Sequence, residues 1–584
     1  MSAAALLQAA VQHHQRGDLD TAETLYQRIL QQQPNHPDAL HLSGLIAHAR
    51  GDGERATNLI RRAIRINERV AAYHGNLGSV LMMSGHLGKA KAALERALAL
   101  DPGFADGWSN LASLHSRREN WRASADCYKR FLALSPPRRG AALALMALNL
   151  ASIAAWDELE PVVAEMKALA RSPLPDPIPP FPFLCQDSSA EEQLACARKQ
   201  SAMIDQQMAP IRAALRFPPP PAPGDGRLVV GYLSNDYRQH ATTSLIAELL
   251  ELHDRARVKV VGISYGPSDG SAMRRRVEAA CDRFMEVTAL PPPEAARAIA
   301  AEGVHVLVDL KGYTADARPE ILALRPAPVQ VHYLGFPATI AAPFIDWQIV
   351  DGIIAPPGSE AAYGERLYRL PRCYQVNDRR RPLPDGSATR TGHRLPAEGM
   401  VFCGFNHPYK ITRAVFGAWM RILGRVPGSV LWILEGDEAL RRHAEAAGID
   451  PGRLVFAPRL PPEPHMARHA LADLFLDTLP VNAHTTASDA LWAGLPVVTC
   501  AGTTFASRVA ASLLHAVGLD ELVAADLDDY VDKAVALAGD ATRRAALKAH
   551  LEAQRHLSPL FDTPGMARDL EAAYAALWQE HMSR

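Results

Sequence analysis

Aligned on itself, the first 140 residues of the chain show a period of 34. Ala10, Gly44, Gly78 and Ala112 share one column, and Ala22, Ala56, Ala90 and Ser124 a second. Tyr26, Ile60, Leu94 and Tyr128 form a third, and Pro34, Glu68, Pro102 and Pro136 a fourth. A fixed period rules out an arbitrary globule, because every unit must fold alike and bury its apolar face on its neighbour. Small residues let paired helices approach, large ones fill the space between them, and proline ends the second helix. Four units are predicted at 3–36, 37–70, 71–104 and 105–138, with a degenerate fifth helical pair running through Ala170 and Asp157 and Glu158 near its turn.

This pattern resembles the tetratricopeptide repeat, a superhelix of helix pairs whose concave face grips extended peptide. The other reading is a spacer or oligomerisation arm. The repeat region is placed at 1–171. Residues 172–185 carry proline at every second or third position and are expected not to form helix. A helix from Ala190 to Arg216 and a second proline-rich break from Pro218 to Gly226 complete a linker at 172–225.

From Leu228 onward the pattern alternates strand and helix. Apolar runs at Leu228–Leu233, Val258–Ile263, Val304–Leu310, Val329–Leu334 and Ile345–Val350 are separated by helical stretches such as Arg274–Ala280 and Pro293–Ala301. The alternation restarts with Val401–Phe405, Leu431–Leu434, Leu454–Phe456, Leu474–Leu476 and Val497–Thr499. Two doubly wound α/β halves follow, 226–395 and 396–584, with any ligand expected at loops on the carboxyl ends of the strands.

Several of those loops carry chemistry. Near the C-terminal end a strand closes at Asp477, and a polar loop leads to His484 and a helix opening at Thr485 or Thr486. The two threonines either only cap that helix or help its positive end hold a diphosphate. His484 and Asp489, one turn on, favour the second reading. Lys410, in the loop after the strand at 401–405, can neutralise phosphate as a compact charge, or be a solvated lysine. His465 and Arg468 stand three residues apart at a helix start, placed to stack on and hydrogen-bond a base. In the first half His240 follows the first strand and is a candidate general base or polar-substrate ligand, against a structural alternative. Gly335 would let backbone approach a ligand, and His305 is read as a core histidine.

Charge and motifs exclude other classes. With 62 basic and 63 acidic side chains, nothing points to nucleic acid or an anionic membrane as the main partner. No segment is expected to span a bilayer, and the N-terminus lacks the pattern of a secretory signal. Seven scattered cysteines with no Cys-x-x-Cys pair fit buried thiols in a reducing, cytoplasmic setting and no zinc site. Neither GxGxxG nor GxxxxGK[ST] occurs, which disfavours dinucleotide oxidoreductases and P-loop NTPases. Asp526 and Asp528 read as helix-capping residues. A metal-free sugar-nucleotide site fits the loops best.

The segments 304–314, 324–330, 405–410, 425–432, 484–494 and 506–511 together resemble the O-linked N-acetylglucosamine transferases in their bacterial form. The likeness covers nearly the whole chain, as tetratricopeptide repeats ahead of a GT-B glycosyltransferase. It implies inverting transfer of N-acetylglucosamine from UDP-GlcNAc to serine or threonine hydroxyls of protein acceptors, with no metal and no cofactor. By the same resemblance His240 is the active-site histidine near the acceptor, and Lys410 holds the diphosphate and stabilises leaving UDP. Thr485 and Thr486 bind phosphate, His484 lies by sugar and phosphates, His465 and Arg468 surround the uracil with backbone near Leu460, and Asp489 is the ribose carboxylate. The chain departs from the animal members at His407, where they carry a phosphate-binding glutamine, and at Pro462, where they carry a lysine. The large insert between the halves is also absent, the crossing from Tyr374 to Pro396 being short. A different sugar nucleotide or acceptor, or a peptide-binding scaffold with a vestigial transferase half, are the alternatives.

Overall fold

The computed structural model describes residues 2–218, 220 and 226–584, so most of the second proline-rich break (219 and 221–225) lies outside the described residues. The chain forms two compact units, Met1–Leu150 and Ala151–Arg584.

In the first unit helices pair in order: Ala3–Gln15 with Leu19–Gln32, Pro37–Ala49 with Gly53–Ile66, Ala71–Met83 with Leu87–Leu100, and Ala105–Arg117 with Trp121–Ala133. The small column packs on the large one. A Cβ added to Gly44 would come within 2.8 Å of Ile60, and one added to Gly78 within 2.6 Å of Leu94. Tyr26, Ile60, Leu94 and Tyr128 are all buried. Asp18 and Asp52 cap the second helix of their pairs by accepting from Thr21 N and Arg55 N. Helices Gly140–Ser152 and Trp156–Arg171 follow, the latter with Asp157 and Glu158 in its first turn.

The proline-rich stretch departs from expectation, since Pro180–Leu184 is a single helical turn. Its prolines fall in the first turn, where the missing N–H has no intrahelical partner to lose and the fixed φ suits the helix. Helix Ala190–Ala214 ends two residues short of the expected Arg216 and opens with a full capping box between Ser189 and Glu192.

The second unit holds two all-parallel sheets. The first contains β1 (Leu228–Ser234), β2 (Val258–Ser264), β3 (Arg283–Glu286), β4 (Val306–Asp309), β5 (Val329–His332), β6 (Trp347–Asp351) and β7 (Arg366–Leu370), in the order β3-β2-β1-β4-β5-β6-β7. The second contains β8 (Val401–Gly404), β9 (Val430–Leu434), β10 (Leu454–Ala457), β11 (Leu474–Leu476), β12 (Val497–Cys500) and β13 (Val523–Ala524), in the order β10-β9-β8-β11-β12-β13. The chain reverses its direction of strand addition between β1 and β4, and again between β8 and β11, the points at which doubly wound sheets hold ligands. Strands β3, β7 and β13 escape the apolar pattern: β3 and β7 have half-exposed sequences and β13 has only two residues.

One apolar core runs through both halves. Helix Thr563–Met582 follows the second sheet in sequence yet packs on β5, β7 and helix Ala241–Leu252 of the first half. There Tyr574 Oη meets Tyr232 Oη at 3.1 Å and Glu571 accepts from His253 Nδ1 at 3.0 Å. Trp156 anchors the preceding helical segment on the second half. Its indole N–H donates to the Ile411 carbonyl at 3.2 Å, and its ring stacks on His443 at 4.3 Å. No described helix is long and apolar enough to cross a membrane, and all seven cysteines are free thiols.

Candidate active site

The loops that part at the β8/β11 reversal carry most of the residues singled out by sequence. After β8 come Phe405, Asn406 and His407, a single turn at Pro408–Lys410, and helix Arg413–Arg425 capped by Thr412. After β11 the chain runs from Asp477 through Leu479-Pro480, a cis peptide, to helix Thr485–Trp492.

Lys410 is partly buried, and its ammonium donates to the Asn482 carbonyl at 2.8 Å. Among the described residues no carboxylate lies within ion-pair distance of it. Burial presses its pKa below the usual lysine value, against the pull of Asp477 and Cys185. The helix start beside it receives no side-chain cap, His484 occupying the cap position without bonding its amides. Neither threonine caps the helix in the usual manner. Thr486 turns its hydroxyl to Asn406 Oδ1 at 2.8 Å, and Thr485 stands at the first helical position. His484 Nε2 and His407 Nδ1 are both buried and without a hydrogen-bond partner. Burial, reinforced by Lys410, drives the His484 pKa far below normal, and burial with Arg459 and Lys410 takes His407 to about 4. Both rings are neutral at physiological pH, so the positive charge beside this helix start is that of Lys410. An ammonium without an ion-pair partner beside an uncapped helix end can attract an anion.

In the sequence Asp477 marks only the end of a strand, yet it organises this cluster. Its carboxylate, 2% exposed, accepts from Thr478 N at 2.7 Å, Ala483 N at 2.6 Å, Thr499 Oγ1 at 2.6 Å and, more weakly, Asn406 Nδ2 at 3.4 Å. Asn406 in turn bridges Thr478 and Thr486, so it ties the two loops together. The available signal was a carboxylate directly after an apolar strand, where α/β sheets place their ligand loops.

Around the loop after β10, Leu460 is partly buried and helix Pro462–Arg468 begins with Pro462 in its first turn. His465 and Arg468 do meet, but each other: Arg468 Nη2 donates to His465 Nδ1 at 2.5 Å. Arg468 also donates to the Pro458 carbonyl at 2.8 Å and lies 4.2 Å over the Phe405 ring at 1% exposure. It therefore braces the His465 ring from behind rather than facing open space. Asp489 is held by Arg381 Nη1 at 2.7 Å, from the segment that crosses between the halves. Arg381 itself donates to Asn377 Oδ1 at 2.7 Å, so the carboxylate is tied to the crossing segment.

In the first half the β1/β4 reversal presents a second polar cluster. His240 caps helix Ala241–Leu252, its Nδ1 accepting from Thr242 N at 3.2 Å. The same nitrogen is 3.5 Å from Asp236 Oδ2, and both oxygens of that buried carboxylate accept from Lys311 Nζ, at 3.1 and 2.9 Å. Burial lowers the His240 pKa while Asp236 opposes it. Asp309 accepts from Lys311 N, Gly312 N and His332 Nδ1. Asp236 and Lys311 were not singled out by sequence, because their pairing spans strands β1 and β4. No described hydrogen bond or ion pair joins His240 to the Lys410 cluster. Gly335 packs beside the first-half cluster, and its close approach is to protein: a Cβ there would fall 1.9 Å from the Leu310 carbonyl oxygen and 3.0 Å from Lys311 N. His305 accepts from Val229 N at 3.0 Å as a buried core residue, and Asp526 caps helix Leu527–Gly539.

Two doubly wound parallel sheets in tandem, each with its polar cluster at the strand reversal, define the architecture of a GT-B glycosyltransferase. The chain belongs to glycosyl transferase family 41, whose pattern matches residues 162–387 and 386–570. Tetratricopeptide repeats match at 3–46, 71–104 and 108–142. Among its relatives is a probable UDP-N-acetylglucosamine--peptide N-acetylglucosaminyltransferase of Arabidopsis thaliana, 33% identical over 74% of this chain and 46% of that protein. Another is the UDP-N-acetylglucosamine--peptide N-acetylglucosaminyltransferase of Caenorhabditis elegans, 30% identical over 61% of this chain and 41% of that protein. The chain thus spans less than half the length of these curated relatives. A solved structure of a mutant O-GlcNAc transferase of Thermobaculum terrenum matches with a TM-score of 0.62 and 28% identity, covering 99% of this chain and 98% of that one.

Proposed function

We propose that this chain transfers N-acetylglucosamine from UDP-GlcNAc to serine or threonine hydroxyls of proteins, with inversion and without a metal. The observation that carries the reading is the unpaired Lys410 ammonium beside the uncapped start of helix Thr485–Trp492. Family membership and the names of the relatives above support the donor and the acceptor class.

In this mechanism Lys410 and the first amides of the helix meet the diphosphate. As the sugar C1–O bond to the β-phosphate breaks, negative charge grows on the UDP oxygen, and a fixed cation and fixed N–H groups stabilise that charge without reorganising. His484 Nε2 and His407 Nδ1 are the unpartnered polar atoms left to face sugar and phosphate. His465 stacks by the base, held by Arg468, and Asp489 reaches the ribose when its bond to Arg381 allows. The acceptor oxygen bonds C1 from the face opposite the leaving group, which inverts the anomeric centre, and its proton leaves to solvent or a neighbouring base. His240 stands on the acceptor side. With Nδ1 accepting from Thr242, the neutral ring carries its proton on Nε2 and directs a donor outward. That favours positioning of the acceptor over removal of its proton. The repeat region holds the protein acceptor.

The test is transfer of labelled sugar from UDP-GlcNAc, with UDP-glucose and UDP-galactose in parallel, onto extract proteins in the presence of chelator. Protein label from UDP-GlcNAc alone, reduced ~10²–10³-fold in Lys410→Ala, is the expected outcome. Full activity in that variant would remove Lys410 from its role. Label that vanishes with chelator would overturn metal independence, and UDP binding without label would favour the peptide-binding scaffold.

A further inference from the structure

We propose that Asp477 is a positioning residue of the transfer site: its carboxylate fixes the loop 477–484 and stands as the negative charge behind Lys410. The inference rests on the transferase reading, because Lys410 matters as the cation that meets the diphosphate.

The geometry gives Asp477 two tasks. By accepting from Thr478 N and Ala483 N it pins both ends of a loop within one carboxylate. That loop contributes the Asn482 carbonyl, which receives Lys410 Nζ, and it ends at His484, where the phosphate-facing helix begins. Asn482 is locked by its own bonds to the Thr478 and Ala506 carbonyls. A displacement of Asp477 therefore moves the cation and the helix start together. A pair of neutral acceptors would hold the loop as well, so hydrogen bonding alone does not explain a charged group at this depth.

The second task is electrostatic. The titratable groups around Lys410 are His407, His484, the Cys185 thiol and Asp477, and the first two are neutral rings that gain nothing from the cation. Asp477 is thus the carboxylate that favours a charged lysine here. On its own far side Asp477 faces Thr499, the Tyr530 phenol and the Cys500 thiol, none of them a cation. Burial raises its own pKa to about 6, and its hydrogen bonds and Lys410 oppose that rise. Burial thus opposes the charge of each group, and each favours the charge of the other.

The experiment follows the titration of Lys410 by NMR of isotope-labelled lysine in the full chain, without ligand. The chain has ten lysines, and Lys410→Ala assigns the resonance. Asp477→Asn keeps the size of the side chain and removes its charge, and should lower the Lys410 midpoint by about one pH unit. UDP-GlcNAc binding should then fail at correspondingly lower pH, each variant being compared with wild type so that titration of the ligand cancels. An unchanged Lys410 midpoint in folded Asp477→Asn would overturn the proposal. Should that variant not fold, Thr499→Val decides. Loss of the hydroxyl that donates to Asp477 Oδ2 should raise the acid-side step in the Lys410 signal by about half a unit or more. An unmoved step would overturn the proposal. A midpoint lowered by Asp477→Asn, where the wild-type chain binds no UDP-GlcNAc, would uphold the electrostatic link and remove the transferase reading instead.

Discussion

Lys410 and His240 sit at matching places in their two sheets, each in the loop that follows the first strand, and the proposed mechanism gives them different steps. His240 has no described bond to the nucleotide-side cluster. Replacing it with alanine is therefore expected to lower turnover ~10²-fold or more while UDP affinity, measured by calorimetry, stays within about threefold. An equal loss of both would move His240 into the nucleotide pocket. The residues legible in sequence were those whose type declares chemistry: histidines, a rare lysine, paired threonines at a helix start. Asp477, Asn406, Asp236 and Lys311 were not, because their importance lies in bonds across loops that are distant in the chain. Arg468 shows the converse. Its spacing from His465 is correct, but only the structure places it fully buried against Phe405, as a brace.

At the scale of elements, periodicity served well wherever one face of a segment is buried. The four helical pairs emerged in order, and ten of the thirteen strands, the edge strand β10 among them, with ends within two residues or so; β3 and β7, half exposed, and β13, two residues long, did not. The one-turn helix at Pro180–Leu184 was hidden by the usual meaning of proline, which reverses in a first turn. Gly335 shows how strand ends constrain each other. It follows β5, and its α-carbon lies against the last carbonyl beyond β4, with no space for a methyl group. Gly335→Ala is expected to cost about 3 kcal/mol or more and to lower Tm by several degrees. A thermal melt unchanged from wild type would show that the two loops can part freely.

For the unit Ala151–Arg584 as a whole, the helix Thr563–Met582 joins the two halves from the far end of the chain. Glu571 is buried on it, and although burial resists its charge, His253 and the Asp254 amide hold its pKa below the usual glutamate value. A carboxylate with a depressed folded pKa stabilises the protein above its unfolded value of about 4.3 and ceases to do so as pH falls through the folded value. Glu571→Gln should therefore lower Tm at pH 7 and lose part of the acid sensitivity of wild type below about pH 4.5. Parallel melting curves for the two proteins across that range would refute the assignment. Tandem α/β halves were legible from the alternation of strand and helix, but this return crossing was not, because no local pattern tells a helix which sheet it will cover.

That crossing has a consequence for synthesis on the ribosome. The strands of the first half are translated early, yet Tyr232 and His253, which bond to each other at 2.7 Å, gain their further partners Tyr574 and Glu571 only from beyond the whole second sheet. The earlier half must wait with an unfinished face while the later half is made. A nascent chain arrested inside the second sheet would then bind chaperones through that face, even though every strand of its first sheet is already present.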